Sequence, residues 1–169
     1  PYRNSHFQYE EWETAGYDDS AWDAARVVDA PAGRLAAQMI EPIRVTEVIR
    51  PVRLTQPKPG VHVYDMGQNI AGVAQLTVTG PAGTEVKLQY AELLHPDGTL
   101  NPTNIDTFCE SGEFQTERYI LKGGGAEVWN ARFTYYGFQY VQVTGFPGVP
   151  TLDNLVGLVM HTDVENTGG

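Results

Sequence analysis

Residues 76–90 read LTVTGPAGTEVKLQY, two runs of alternating apolar and polar residues joined by a glycine- and proline-rich turn. In the second run Val86, Leu88 and Tyr90 share one face, because successive side chains of a strand point to opposite sides. The intervening Gly80-Pro81-Ala82-Gly83 supplies residues that favour turns. The segment therefore predicts two half-buried β-strands connected by a tight turn.

The same pattern recurs along most of the chain. Turn signals such as Asp97-Gly98 and Pro147-Gly148 separate further runs of strand length. The predicted strands are residues 44–50, 61–64, 73–79, 85–91, 117–121, 128–135, 138–144 and 155–161. Seven or eight short strands without alternating helices predict an all-β fold, an antiparallel β-sandwich or jelly roll.

One or two short helical turns are expected in addition, both near the start of the chain. Ser20–Ala25 follows Asp18-Asp19, a pair suited to capping a helix, and Ala32–Met39 precedes Pro42. We predict three segments: residues 1–41 as the tail of a preceding jelly-roll unit plus a connector, residues 42–163 as the β-sandwich, and residues 164–169 as a linker to a further domain. The first residue is not Met, so the chain is expected to be processed or cut from something longer.

Composition excludes several classes of partner. The chain has 169 residues, of which 41% are hydrophobic, and 21 acidic residues oppose 11 basic ones, for a net charge of -10. An acidic protein is a poor ligand for DNA, RNA or an anionic membrane, which bind through cationic contacts. No apolar run is long enough to span a bilayer. Cys109 is the single cysteine, so no disulfide forms within the chain and the compartment stays open.

The most unusual polar run is Asp65-Met66-Gly67-Gln68-Asn69. Asp and Asn beside glycine commonly hydrogen-bond backbone groups and fix a loop or bulge, which is the interpretation we favour. The alternative is that Asp65, Gln68 and Asn69 bind sugar hydroxyls, which require planar polar partners of this kind.

Aromatic residues are concentrated in residues 132–140, which read RFTYYGFQY. Aromatic rings can stack on sugars, but alternation buries about half of such residues as ordinary core, and core is the favoured interpretation. Gly137 indicates a bulge or a close backbone approach. A β-prone edge that assembles into filaments is a third interpretation.

Acidic residues raise the question of metal binding and catalysis. Asp18, Asp19 and Asp23 could supply oxygen ligands to Ca²⁺, although helix capping and solvation are the favoured explanation. Glu92 could pair with Arg132 or ligate a cation, and a glycosidase pair with Asp65 would need a set separation inside a cleft. The four histidines have no metal-ligand spacing and are interpreted as structural.

Four ordered motifs together resemble a known family. They are PIRVTE (42–47), DMGQNIAG (65–72), AELL with DGTL (91–94 and 97–100), and RFTYYGFQYV (132–141). This set resembles the non-catalytic β-sandwich region of bacterial α-L-rhamnosidases, which remove terminal α-L-rhamnose. Residues 12–22 are similar to the end of that family's preceding jelly roll, and residues 161–168 to the junction with its catalytic helical barrel.

The chain departs from the family pattern at three places: Gln139 replaces an Arg, Tyr136 replaces the usual His, and the aromatic usual near Val73 is missing. The resemblance implies that the catalytic acids lie downstream in the barrel, so no residue here inherits a catalytic role and no cofactor is required.

Three functions remain open. The first is an accessory domain that packs on the catalytic domain and shapes the substrate approach. The second is a module for rhamnose-containing glycans, using Asp65, Gln68 and Asn69 with Trp12, Trp22 or Tyr136 for stacking and Ca²⁺ as an additional ligand. The third is a self-assembling structural subunit. The resemblance implies a bacterial source and leaves secretion and the periplasm as alternatives.

Overall fold

A computed structural model describes residues 3–4, 15–109 and 112–165, with only the backbone given for Arg3, Asn4 and Phe108. This part of the chain forms eleven strands, which are β1 (Arg3–Asn4), β2 (Ile43–Ile49), β3 (Arg53–Lys58), β4 (Val61–Thr79), β5 (Glu85–Ala91), β6 (Leu93–Leu94), β7 (Leu100–Asn101), β8 (Thr116–Ile120), β9 (Ala126–Asn130), β10 (Tyr136–Thr144) and β11 (Leu155–Thr162). Two three-residue 3-10 turns are formed by Asp106–Phe108 and Leu152–Asn154. The predicted all-β antiparallel fold is confirmed.

Nine of these strands form one curled sheet in the order β1-β8-β5-β10-β4-β11-β2, with β3 and β9 also paired to β4. All pairs are antiparallel except β1 with β8. Strands β6 and β7 form a separate hairpin. The sheet is curled into a β-sandwich, and the 19-residue β4 changes partners along its length.

Strand β4 therefore organises the fold. Its first part, from Val61 to Gly72, pairs with β10, and residues 61–65 also pair with β3. Its second part pairs with β11 over residues 72–76 and with β9 over residues 75–79. One strand thus contributes to both layers, which ties them together covalently.

The core lies between the layers and follows the predicted alternation. Val86, Leu88 and Tyr90 of β5 are buried, whereas the residues between them are partly exposed. The Tyr90 ring packs on Phe138 of β10 at a centroid distance of 4.9 Å, and Tyr119 of β8 stacks on the Trp129 ring of β9 at 4.9 Å. Aromatic contacts thus join β5 to β10 and β8 to β9.

The predicted helical turns at Ser20–Ala25 and Ala32–Met39 are wrong. Residues 18–42 are exposed and contain no helix, only a turn in which the Trp22 N–H donates to the Asp19 carbonyl at 2.9 Å. Short helices are marginal in water unless an apolar face packs against something. The side chains of residues 18–42 are exposed, so no apolar face of this segment is buried to stabilise a helix.

Several strands also differ from prediction. The predicted strands 61–64 and 73–79 are one continuous strand, β4, and the predicted strand 128–135 ends at Asn130. Strand β3 was not predicted, because Pro57 interrupts its pattern. Pro57 lies at a register shift in the β3–β4 ladder, where a residue without an N–H is tolerated.

His62 makes stability depend on pH. It lies opposite Val143 in the sheet and is 6% exposed, and burial lowers the pKa of its imidazole. The unfolded chain takes up a proton near the ordinary value of 6.5, whereas the folded chain resists it. The free energy of unfolding is therefore expected to be greatest above that value and to fall as the pH drops below it.

Urea titrations between pH 7.5 and pH 5.5 measure this effect. The free energy of unfolding should fall less with decreasing pH in His62→Gln, which has no titrating ring. An equal fall in the variant and the wild type would contradict the assignment of this pH dependence to His62.

Candidate functional site

The predicted polar run at residues 65–69 is a bulge within β4. Tyr140 of β10 pairs with Asp65, and Phe138 pairs with Ile70, so four β4 residues lie opposite Gln139 alone. Gly67 adopts a φ of +76°, and a Cβ there would lie 3.0 Å from Cγ1 of Val52. The bulge therefore requires glycine at this position for both its backbone conformation and its space.

Asp65 fixes the bulge from inside. Its Oδ1 accepts hydrogen bonds from the Gly67 N–H at 2.9 Å and from Nε2 of Gln139 at 3.0 Å. Its Oδ2 lies 3.5 Å from Nη2 of Arg53 on β3. The carboxylate thus joins β3, β4 and β10, and sugar binding by Asp65 stays a prediction.

Asp65→Ala is expected to lower the free energy of unfolding by about 2 kcal/mol, because it removes hydrogen bonds to a largely buried carboxylate. Chemical denaturation of the purified chain measures the loss. The matched control is Asp153→Ala, whose ion pair with Arg50 joins two exposed side chains and should matter little. Equal losses in the two variants would show that Asp65 does not stabilise the bulge.

Glu92 connects three of the sequence motifs. Its Oε1 accepts a hydrogen bond from Nδ2 of Asn69, and its Oε2 accepts one from Nδ2 of Asn104, each at 3.0 Å. A Cβ on Gly137 would lie 3.7 Å from the same Oε1. The motifs DMGQNIAG, AELL and RFTYYGFQYV therefore meet at one surface. We call Asp65, Asn69, Glu92, Asn104 and Gln139 the bulge cluster.

Gln115 was not among the predicted site residues, although its side chain bonds to β5 and β10 beside the bulge cluster. Its Nε2 donates to the carbonyls of Tyr90 and Gly137 at 3.2 and 3.1 Å, and its Oε1 accepts from the Gly137 N–H at 3.2 Å. The amide thus pairs with Gly137 as a neighbouring strand would. No sequence signal could have revealed this, since the contacts span 22 residues or more.

Tyr136 is a stacking residue only under the carbohydrate-binding interpretation, whereas core packing is the favoured interpretation for residues 132–140. In the structure its ring packs on Tyr90 at 4.9 Å, and its hydroxyl donates to Oε1 of the buried Glu117. Burial, reinforced by the neighbouring Glu117 carboxylate, raises the pKa of Tyr136 to about 12. Both the ring and the hydroxyl are engaged within the sandwich.

Apart from Gln68, the remaining predicted residues belong to the first 23 residues of the chain. Trp12 falls outside the described residues. Trp22 is 47% exposed, and its ring is 5.5 Å from that of Tyr17. Asp18 Oδ1 accepts the Ser20 N–H at 3.0 Å, and this bonding to Ser20 lowers the pKa of Asp18.

Asp18, Asp19 and Asp23 do not converge on a cation site. Across residues 15–109 and 112–165, no group of three or more His, Cys, Asp or Glu side chains is arranged to hold a metal ion. Calcium binding by Asp18, Asp19 and Asp23 stays a prediction. No helix in the described ranges is long and apolar enough to cross a membrane.

Comparison with known families identifies both parts of the chain. Residues 55–161 match the model of the bacterial alpha-L-rhamnosidase concanavalin-like domain, and residues 4–47 match that of the alpha-L-rhamnosidase N-terminal domain. An alpha-L-rhamnosidase of Streptomyces avermitilis is 43% identical over 92% of this chain and 15% of its own length. One of Formosa agariphila is 29% identical over 98% of this chain and 17% of its own length.

Solved structures agree with this similarity. An α-L-rhamnosidase from Dictyoglumus thermophilum superposes with a TM-score of 0.84 at 41% identity, over 95% of this chain and 18% of that one. The Streptomyces avermitilis α-L-rhamnosidase complexed with L-rhamnose gives a TM-score of 0.81 at 43% identity, over 91% of this chain and 15% of that one. The chain thus spans less than a fifth of the length of these relatives, and it belongs to the bacterial α-L-rhamnosidase family, in which it matches the N-terminal and concanavalin-like domains.

Proposed function

We propose that this chain is a non-catalytic accessory β-sandwich of an α-L-rhamnosidase, supporting the catalytic domain and the approach of substrate. The observation that carries the proposal is the hydrogen bonding within the bulge cluster. The Glu92 carboxylate accepts hydrogen bonds from Asn69 and Asn104. The Asp65 carboxylate accepts hydrogen bonds from Gly67 and Gln139. Carboxylates of a glycosidase must instead face the scissile bond as acid and nucleophile or base. Both carboxylates are thus hydrogen-bonded to groups of this domain.

Similarity to much longer relatives supports the same function. The chain corresponds to 15–18% of the length of the α-L-rhamnosidases it resembles. Many of its large apolar side chains are exposed, among them Val45, Val48 and Phe133. A domain of this kind gains stability when the rest of the polypeptide covers such residues.

Hydrolysis of an aryl α-L-rhamnoside tests the proposal. Residues 1–169 alone are expected to give no turnover above buffer, whereas the longer protein that carries them should be active. Turnover by the purified chain that co-elutes with it and is lost on unfolding would overturn the proposal. Deleting residues 43–162 from the longer protein should lower its activity or its thermal stability.

A second candidate is a carbohydrate-binding module, favoured by the exposure of Gln68. Gln68 lies exposed on the bulge, and its amide makes no hydrogen bond to another described residue. The structure of one relative was determined with L-rhamnose. A free planar amide on a rigid bulge is suited to sugar hydroxyls.

Isothermal titration calorimetry with L-rhamnose, with and without Ca²⁺, tests this candidate. Saturable heat that is lost in Gln68→Ala but kept in Gln56→Ala, an exposed glutamine of β3, would support it. Dependence of the heat on Ca²⁺ would support the calcium prediction as well. The absence of heat under both conditions would reject the carbohydrate-binding candidate and leave the accessory function as the remaining proposal.

A further inference from the structure

Phe133 is the most unusual exposed residue of the described chain. It lies in the connection between β9 and β10, its exposure of 106% means that the ring contacts almost nothing, and its φ is +62°. A bulky aromatic residue rarely adopts a positive φ, which costs about 1–3 kcal/mol where it persists. The domain thus holds an apolar ring away from its own core in an unfavourable backbone conformation.

A second aromatic side chain is exposed close to Phe133 in the sequence. Tyr135, two residues further along the chain, is 53% exposed. Both residues lie in the connection that leads into β10, and we call Phe133 and Tyr135 the aromatic knob.

We propose that the aromatic knob is the anchor by which this domain docks on the rest of the α-L-rhamnosidase polypeptide, with Phe133 inserted into an apolar pocket of that partner. This inference rests on the proposed accessory function and specifies its interface. More than four fifths of the relatives' length lies outside the matched segment, so a large covalently linked partner is the expected occupant. Aromatic residues at the centre of an interface commonly carry most of its binding energy.

Hydroxyl-radical footprinting with mass spectrometry tests the proposal by comparing residues 1–169 alone with the longer protein that contains them. Labelling of Phe133 and Tyr135 is expected to fall about tenfold in the longer protein, as for an anchor in a desolvated pocket. Equal labelling of Phe133 in both would overturn the proposal. Protection of other surfaces in that case would leave the accessory function standing, whereas identical footprints throughout would remove both.

Two further comparisons distinguish other occupants. Protection of Phe133 in the isolated chain by L-rhamnose would assign the knob to sugar stacking, and protection that rises with chain concentration would assign it to a second copy. Either result would overturn the proposal.

A pair of variants provides an independent readout. Phe133→Gly removes the ring and relieves the backbone, so the isolated chain should keep or raise its unfolding temperature. In the longer protein the same change should speed proteolysis of this domain about tenfold, by loss of an anchor. Val149→Ser, at another exposed apolar position, should leave proteolysis unchanged. Unaltered proteolysis in Phe133→Gly would contradict the proposal.

Discussion

Gly72→Ala is expected to abolish stable folding of the sandwich. A Cβ on Gly72 would lie 1.9 Å from the carbonyl oxygen of Leu158 and 2.9 Å from its carbonyl carbon, where β4 passes β11. Both atoms belong to the backbone of a paired strand, so no side-chain rotation can relieve the clash. The β4–β11 ladder must separate locally, and a loss of more than about 4 kcal/mol is expected, near the whole stability of many domains.

Chemical denaturation followed by tryptophan fluorescence measures the effect of Gly72→Ala. The matched control is Gly137→Ala, also in a strand, where a Cβ meets only Oε1 of Glu92 at an ordinary 3.7 Å. That control should stay within about 1 kcal/mol of the wild type. If Gly72→Ala unfolds at the wild-type denaturant concentration, the close approach of β4 and β11 is not as described.

Glu127→Ala is expected to cost about 3 kcal/mol, because it removes three hydrogen bonds to a buried carboxylate. Oε2 of Glu127 accepts from the Tyr119 hydroxyl at 2.6 Å and from the Lys122 N–H at 3.1 Å, and Oε1 accepts from the Gly123 N–H at 2.9 Å. The side chain is nearly inaccessible to water. Truncation leaves all three donors without this acceptor.

The effect of Glu127 should depend on pH. Burial opposes ionisation, but the bonds from Tyr119, Gly123 and Lys122 outweigh it and hold the pKa of Glu127 below its ordinary value of 4.5. Its contribution is therefore fully present above that value and is lost as the pH falls through the lower folded-state pKa. The difference in unfolding free energy between Glu127→Ala and the wild type should shrink between pH 7 and pH 3.

Glu85→Ala is the control for that comparison. It removes a carboxylate that pairs with Arg118 on the exposed face of β5, so its effect should be small. A loss in Glu127→Ala no larger than in Glu85→Ala would show that the buried carboxylate does not stabilise the fold.

The fold class was predictable because the residues that a strand buries can be recognised from a short stretch of its own sequence. Val86, Leu88 and Tyr90 alternate with polar residues, and that alternation alone indicates a half-buried strand. The continuity of β4 was not predictable, since the bulge at residues 65–69 resembles a loop until β10 is placed beside it. The helical turn at Ser20–Ala25 was predicted wrongly from the capping residues Asp18 and Asp19. Capping residues mark where a helix can start, but a short helix also needs packing against other residues to stay formed.

The site was predictable only in part. The polar run at residues 65–69 was recognised from its composition, and fixing a bulge was the favoured interpretation. Its partners were not predictable, because Gln139 lies 74 residues from Asp65 and Asn104 reaches Glu92 from a different loop. The exposure and positive φ of Phe133 were not predictable, because it lies in a run of aromatic residues. A sequence shows that these rings are hydrophobic but not which of them faces solvent.

The pairing of β2 with β11 has a consequence for the architecture of any longer polypeptide. Ile43, the first residue of β2, pairs directly with Thr162, the last residue of β11, and the Asp163 N–H donates to the Pro42 carbonyl at 3.2 Å. Whatever precedes β2 and whatever follows β11 thus start about one strand spacing apart, ~5 Å. The segments before β2 and after β11 therefore leave this strand pair at the same end, so loops at the opposite end of the sandwich can lengthen without separating them. Tension between the two segments would separate the β2–β11 pair one hydrogen bond at a time.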